Sequence, residues 1–155
     1  MLKSVMALYE RVVKGLNLLQ SPMLLVVRLY WGFQLAQNGW GKLHHLSRIT
    51  DYFQSLNIPF PGINAPFVSG LELVGGILLM LGLGSRPIAL LIAGDMLVAY
   101  YAADHDALVS VFSDPGKFYV ADPYTFLFAA LMVLIFGAGY LSLDALIAKK
   151  LKERV

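Results

Sequence analysis

The chain has 155 residues, of which 58% are hydrophobic and 14% charged; a soluble domain of ordinary composition carries about 25% charged residues. A formal net charge of +2 gives nucleic acid nothing to hold, and the lack of cysteine excludes disulfide, dithiol and thiolate–metal chemistry. Composition therefore places the chain among integral membrane proteins, as one small all-α domain over residues 1–155.

Residues 1–20 place Val5, Met6, Tyr9, Val12, Val13 and Leu16 at helical spacing, with Lys3, Arg11 and Lys14 supplying charge. This predicts an amphipathic helix lying in the cytoplasmic interface. The alternative is a short fifth piece packed under the bundle. It does not read as a clean secretory signal, because Glu10, Arg11 and Lys14 interrupt the apolar run and no small-residue cleavage site follows.

Four apolar segments approach the roughly 20 residues needed to cross a bilayer: residues 22–43, 66–84, 87–103 and 123–141. Each begins with proline, which suits the first turn of a helix because its N–H is not needed there. Ser21, Ser85 and Asp122 stand at or near the prolines as candidate N-caps. The first connection carries Ile49, Tyr52, Phe53 and Leu56 on one face of a short helix, followed by Ile58-Pro59-Phe60-Pro61-Gly62, which cannot continue it. It is expected to lie on the outer leaflet as a lid.

Lysine and arginine set the orientation. They cluster in the N-terminal stretch, at Arg86 in the second connection, and in the basic tail of residues 142–155, at Lys149, Lys150, Lys152 and Arg154. The third connection is acidic, with Asp104, Asp106, Asp114 and Asp122 against Lys117. Both termini are thus expected in the cytoplasm, in a multi-pass protein with the two long connections outside. Lys42 and Arg48, near the outer end of the first span, are the exceptions.

Charges inside the apolar segments are the main functional signal, because an ionisable group at mid-bilayer costs roughly 2.5–3.5 kcal/mol on insertion scales. They are Arg28, Glu72 and Asp95. With Arg28 set at 0°, Trp31, Gln34, Asn38 and Lys42 fall between about 240° and 320° on the same helix, a polar stripe that should face protein or water. On the second span Ser69, Glu72 and Gly76 share a face, and Gly75-Gly76 lets a neighbouring helix approach closely. The simplest arrangement aims Glu72, and with it Asp95, at Arg28. Arg28, Trp31, Gln34, Asn38, Lys42 and Glu72 are the candidate ligand-binding residues, and Glu72 and Asp95 the candidate proton-transfer groups. A buried ion pair that only fixes helix register fits the same residues.

His44, His45 and His105, with Asp104 and Asp106, lack the i, i+3 or i+4 spacing of a helical metal site; no metal is expected. No span offers an axial histidine for haem.

The chain resembles the DoxX family of small four-helix bacterial membrane proteins. The resemblance rests on Asn38-Gly39-Trp40-Gly41-Lys42-Leu43, similar to the family's His-Gly-x-x-Lys-Leu; on Tyr52-Phe53 with Leu56-Asn57-Ile58-Pro59; on Glu72-Leu73-Val74-Gly75-Gly76 and Leu81-Gly82-Leu83-Gly84-Ser85-Arg86; and on Gly137-Ala138-Gly139-Tyr140-Leu141-Ser142-Leu143-Asp144. Asn38 departs from the histidine of many members. In the last motif the glycines end a span, Ser142 caps a new helix and Asp144 sits in its first turn in a structural role. The resemblance implies a four-transmembrane-helix bundle and a membrane subunit of a quinone-linked oxidoreductase, bound to a soluble or membrane redox partner. The alternatives are a small solute or ion carrier, for which a homo-oligomer is expected, and a membrane scaffold for partner proteins.

Overall fold

A computed structural model describes residues 2–153, with side chains described from residue 5; Arg154 and the Lys3 side chain lie outside the described residues. Eight helices occur among them: α1 Leu2–His44, α2 Leu46–Ser55, α3 Pro61–Leu81, α4 Ser85–Ala102, α5 His105–Val109, α6 Pro115–Val120, α7 Pro123–Phe136 and α8 Leu143–Lys152. No strand occurs there.

The long helices close a ring. α1 packs on α3, α3 on α4, α4 on α7 and α7 back on α1, while α2 lies against α3. Leu35, Leu79, Ile92, Met96, Tyr100 and Val133 are among the side chains that fill the centre. Tyr100 is fully buried, stacks on Phe118 and donates its hydroxyl to the Phe118 carbonyl at 2.6 Å.

The outside of the ring is apolar and part of the inside is polar. Val26, Phe33, Phe67, Val74, Leu90, Leu97, Phe128 and Ile135 are exposed, whereas Arg28, Ser69, Glu72 and Ser85 are buried. Water would not tolerate so much uncovered apolar surface on a small monomer; hydrocarbon does, and it drives the polar groups inward.

Two helices, over Val5–His44 and Pro61–Leu81, are long and apolar enough to cross a membrane. α7 is apolar but has only 14 residues, about 21 Å of helix. α4 has 18 residues and carries both Arg86 and Asp95.

The expected break between an interfacial helix at 1–20 and a first span at 22–43 is absent. α1 is a single helix of 43 residues passing through Pro22, about 65 Å long, so its two halves share one direction. An interior proline removes the hydrogen bond to the carbonyl four residues earlier, here that of Leu18. The Tyr140 hydroxyl supplies the missing donor at 3.1 Å. Ser21, expected as a cap, instead accepts the Tyr140 backbone N–H at 3.0 Å.

The other bounds shift by a few residues. α3 begins at Pro61 rather than residue 66, and α7 stops at Phe136 because Gly137 turns to φ 79°. Neither Ser85 nor Asp122 caps its own helix through its side chain. Ser142 does cap α8, accepting the Ala145 N–H at 3.2 Å.

Asp144, in the first turn of α8, reaches across the structure. Its two carboxylate oxygens accept the N–H groups of Gly84 and Ser85 at 2.8 and 2.9 Å. The start of α4 is thus capped from α8, where a carboxylate meets the positive end of the helix dipole.

Candidate functional site

The site depends on how closely α1 and α3 approach. A Cβ added at Gly32 would stand 2.8 Å from the Gly76 carbonyl oxygen, and one at Gly76 would stand 2.5 Å from that of Gly32. Gly39 meets α3 in the same way at the Ser69 carbonyl, where an added Cβ would lie 2.6 Å away. Gly32, Ala36 and Gly39 recur at near-helical intervals, so they form one seam along α1. Small residues at such a seam bring backbones together, and here they bring Lys42 over Glu72.

Lys42 Nζ lies 2.5 Å from Glu72 Oε1. Glu72 is 3% exposed, whereas the Lys42 side chain is 32% exposed. The Glu72 end of the pair is shielded from water, where an unmet polar atom is costly. Two such atoms are present: Glu72 Oε2 and Asp95 Oδ2 are both buried with no hydrogen-bond partner.

All three groups line one cavity of about 530 Å³ between α1, α3 and α4. Phe67, Leu71, Leu91 and Met96 wall it, while Tyr52, Phe53, Leu56 and Pro59 come from α2 and the segment after it. Asp104 and Asp122 stand on its rim. Asp95 is at the level of Glu72 for a simple reason. α3 and α4 are antiparallel across the short Gly82–Gly84 connection, and each carboxylate lies about 14 Å from it along its helix. The connection itself is held by Gly82, at φ 67°, where an added Cβ would meet Ser142 Cβ at 2.6 Å.

Arg28 does not join this group, and the expected Arg28–Glu72 pair does not form. The guanidinium is 1% exposed. It donates to the carbonyl oxygens of Leu79 at 3.1 Å, Met80 at 3.4 Å and Leu141 at 2.6 Å. It therefore satisfies the C-terminal carbonyls of α3, which have no helical partner, and ties them to the α7–α8 connection. Lys42 lies about 21 Å further along α1, too far for one carboxylate to serve both cations.

The remaining stripe residues also lie outside the cavity wall. Trp31 and Gln34 are half-buried on α1, and Trp31 packs edge-on to Tyr30. Asn38 is exposed and, with Gln37, lines a separate surface concavity that shares Lys42. His44 and His45 turn their Nδ1 atoms to the Trp40 and Gly41 carbonyl oxygens of α1. No group of three metal-ligating side chains occurs among the described residues.

Chemically, the cavity offers an ammonium, two inner carboxylates whose Glu72 Oε2 and Asp95 Oδ2 are buried without a partner, and an apolar hollow beside them. A ligand with a proton-bearing head and an apolar body would complete the hydrogen bonding and fill the hollow. The α1 glycines that bring Lys42 into place were missed in the pattern of charges. Their signal was the small-residue repeat Gly32, Ala36 and Gly39.

No curated protein and no solved structure shows a significant match to the chain. The DoxX family model matches residues 23–105, more than half of the sequence. The matched region contains Lys42, Glu72 and Asp95, the α1–α3 seam, and the α2 segment that covers the cavity; on this match the chain belongs to the DoxX family, a family of membrane proteins.

Proposed function

We propose that this DoxX protein holds an amphipathic small molecule of the quinone type in the cavity between α1, α3 and α4, as the membrane subunit of a redox system. The observation that carries this reading is the pair of unpartnered buried carboxylate oxygens, Glu72 Oε2 and Asp95 Oδ2, on two residues that line a largely apolar hollow of about 530 Å³. A buried acceptor without a donor costs about 1–3 kcal/mol, and a hydroxyl-bearing ring would remove that cost twice over. Lys42, Glu72 and Asp95 contact the polar head, and Phe67, Leu71 and Met96 the apolar body. Either carboxylate can take a proton from the head, since both lie in the cavity wall and proton transfer requires a group within hydrogen-bond reach. Electrons pass to or from a partner, with this chain as a non-autonomous subunit.

In this reading α1, α3, α4 and α7 all cross a bacterial inner membrane, with both termini in the cytoplasm. The lysines of α8 then lie on the cytoplasmic face, and the acidic residues after α4 lie outside. Arg28 closes the cytoplasmic end of the bundle and takes no part in binding.

Titration of the purified protein with a short-chain quinol tests the reading. Saturable binding that is weakened by Glu72→Gln and by Asp95→Asn supports it. A carrier is the second reading, favoured by the acidic rim at Asp104 and Asp122. It predicts solute flux in proteoliposomes that Glu72→Gln abolishes.

A further inference from the structure

The junction of α1 and α2 carries a second concavity, which shares Lys42 and Tyr52 with the cavity but is otherwise separate from it. Lys42, His45, Arg48, Gln37, Asn38 and Tyr52 line a surface concavity of about 520 Å³. No carboxylate lines it, and Arg48 is exposed and forms no salt bridge among the described residues. Two cations at the outer end of a span run against the usual bias of lysine and arginine toward the cytoplasm. Gln37 and Asn38 are exposed at a depth where the neighbouring surface residues Phe33 and Trp40 are apolar. An amide facing hydrocarbon without a partner is costly.

The geometry points to a binding site for the headgroup of an anionic phospholipid of the outer leaflet, a conclusion that rests on α1 crossing the bilayer as proposed above. The match is one of order along α1. Lys42 stands near the outer end of α1 and shares the concavity with Arg48 of α2, at the level where a lipid carries its phosphate. Asn38 and Gln37 lie about 6–7.5 Å deeper, where the ester carbonyl oxygens need donors. Phe33 follows about one turn further on and Tyr30 about two, both exposed, where the acyl chains begin. Basic side chains near a membrane surface attract anionic lipid with about 1 kcal/mol each. Lys42 is half-neutralised by Glu72, so Arg48 supplies most of the preference for a lipid with net negative charge. The lipid would also screen the exposed side of Lys42 from water.

Native mass spectrometry of the purified full-length protein, loaded with phosphatidylglycerol or phosphatidylcholine of identical chains, tests this site. The wild-type protein should retain phosphatidylglycerol in preference to phosphatidylcholine, and Arg48→Gln should weaken that retention about fivefold. Asn38→Leu should weaken both lipids together. Neither substitution touches the cavity wall, so quinol binding and thermal stability should remain at wild-type values. Equal retention of both lipids by wild type and Arg48→Gln would overturn the site. Displacement of phosphatidylglycerol by excess inorganic phosphate would overturn it in favour of a free-anion site. A change of oligomeric state in Asn38→Leu, with lipid retention unaltered, would overturn it in favour of a second copy of the chain. Failure of the underlying span reading is distinguishable, because labels placed at the two ends of α1 would then be accessible from the same side of proteoliposomes.

Discussion

Lys42 on α1 and Glu72 on α3 meet at 2.5 Å because the backbones beneath them touch at glycines. The ion pair is the outer end of a packing seam that begins at Gly32 and Gly76 and continues at Gly39. Its partner carboxylate, Asp95, is set at the same depth by the short turn between α3 and α4. Three helices thus contribute one charged group each to a hollow whose remaining wall is apolar apart from Asn64, Asp104 and Asp122.

Widening the seam should unfold the pair before it abolishes the helices. Gly39→Val forces a branched side chain onto the Ser69 carbonyl, where even a Cβ would stand at 2.6 Å. Overpacking of this kind costs about 1–3 kcal/mol. The expected result is a lower unfolding midpoint in mild denaturing detergent with helix content retained in circular dichroism, and loss of quinol binding.

Arg28 is predicted to hold structure and not ligand. Arg28→Met removes three donated hydrogen bonds from a buried cation, each worth about 1.5–3 kcal/mol when the donor is charged. Strong destabilisation is expected, measured as a lower melting temperature. Arg28→Lys, which keeps the charge but not the fork that spans Leu79 and Leu141, should melt between the two and bind quinol like the wild type. Weakened binding by well-folded Arg28→Lys would return Arg28 to the site.

Pro22 and Tyr140 form a testable unit. Tyr140→Phe removes the donor to the Leu18 carbonyl and should cost about 1 kcal/mol. In a Pro22→Ala background residue 22 regains its N–H and can serve that carbonyl itself, so the same substitution should cost much less. A double-mutant cycle on melting temperature measures the difference. Equal costs in both backgrounds would show that the hydroxyl does not compensate for the proline.

Asp144 lies outside the spanning helices and should make stability depend on pH. Burial pushes its carboxyl up, but the Ser85 and Gly84 N–H groups and the Arg28 charge outweigh this and hold it below the ordinary carboxylate value. Its contribution is complete above the unfolded value of about 3.9 and disappears as pH falls through the lower folded value. The melting temperature of the wild type should therefore drop on acidification below about pH 4 by more than that of Asp144→Asn. At neutral pH Asp144→Ala should cost about 1 kcal/mol, as loss of a helix cap does.

Helix content was legible in the sequence, and so were the starts of α7 at Pro123 and α8 after Ser142, because these are local signals; Pro22 and Pro66 instead lie inside their helices. The continuity of α1 was not, since Pro22 reads as a first-turn proline unless the donor for Leu18 is known, and Tyr140 is far away in sequence. The cavity charges Glu72 and Asp95 were legible as ionisable groups in apolar runs. Their cation was misassigned to Arg28 because a helical projection gives angle and not depth. The two cations differ by about 21 Å along α1, and that distance separates a clamp at one end of the bundle from a partner in the cavity. Trp31, Gln34 and Asn38 shared the angle of Lys42 closely enough to look like one stripe, yet they lie beside the cavity wall and not in it.

The most direct test is the stoichiometry of quinol bound by the purified protein, measured by equilibrium dialysis for the wild type, Glu72→Gln, Asp95→Asn and the cavity-filling Leu71→Trp. The account predicts one quinol per chain in the wild type and a large loss in all three variants, with melting temperatures showing that the variants remain folded. Binding that is absent from the folded wild type, or that survives both Leu71→Trp and the paired carboxylate substitutions, would contradict it.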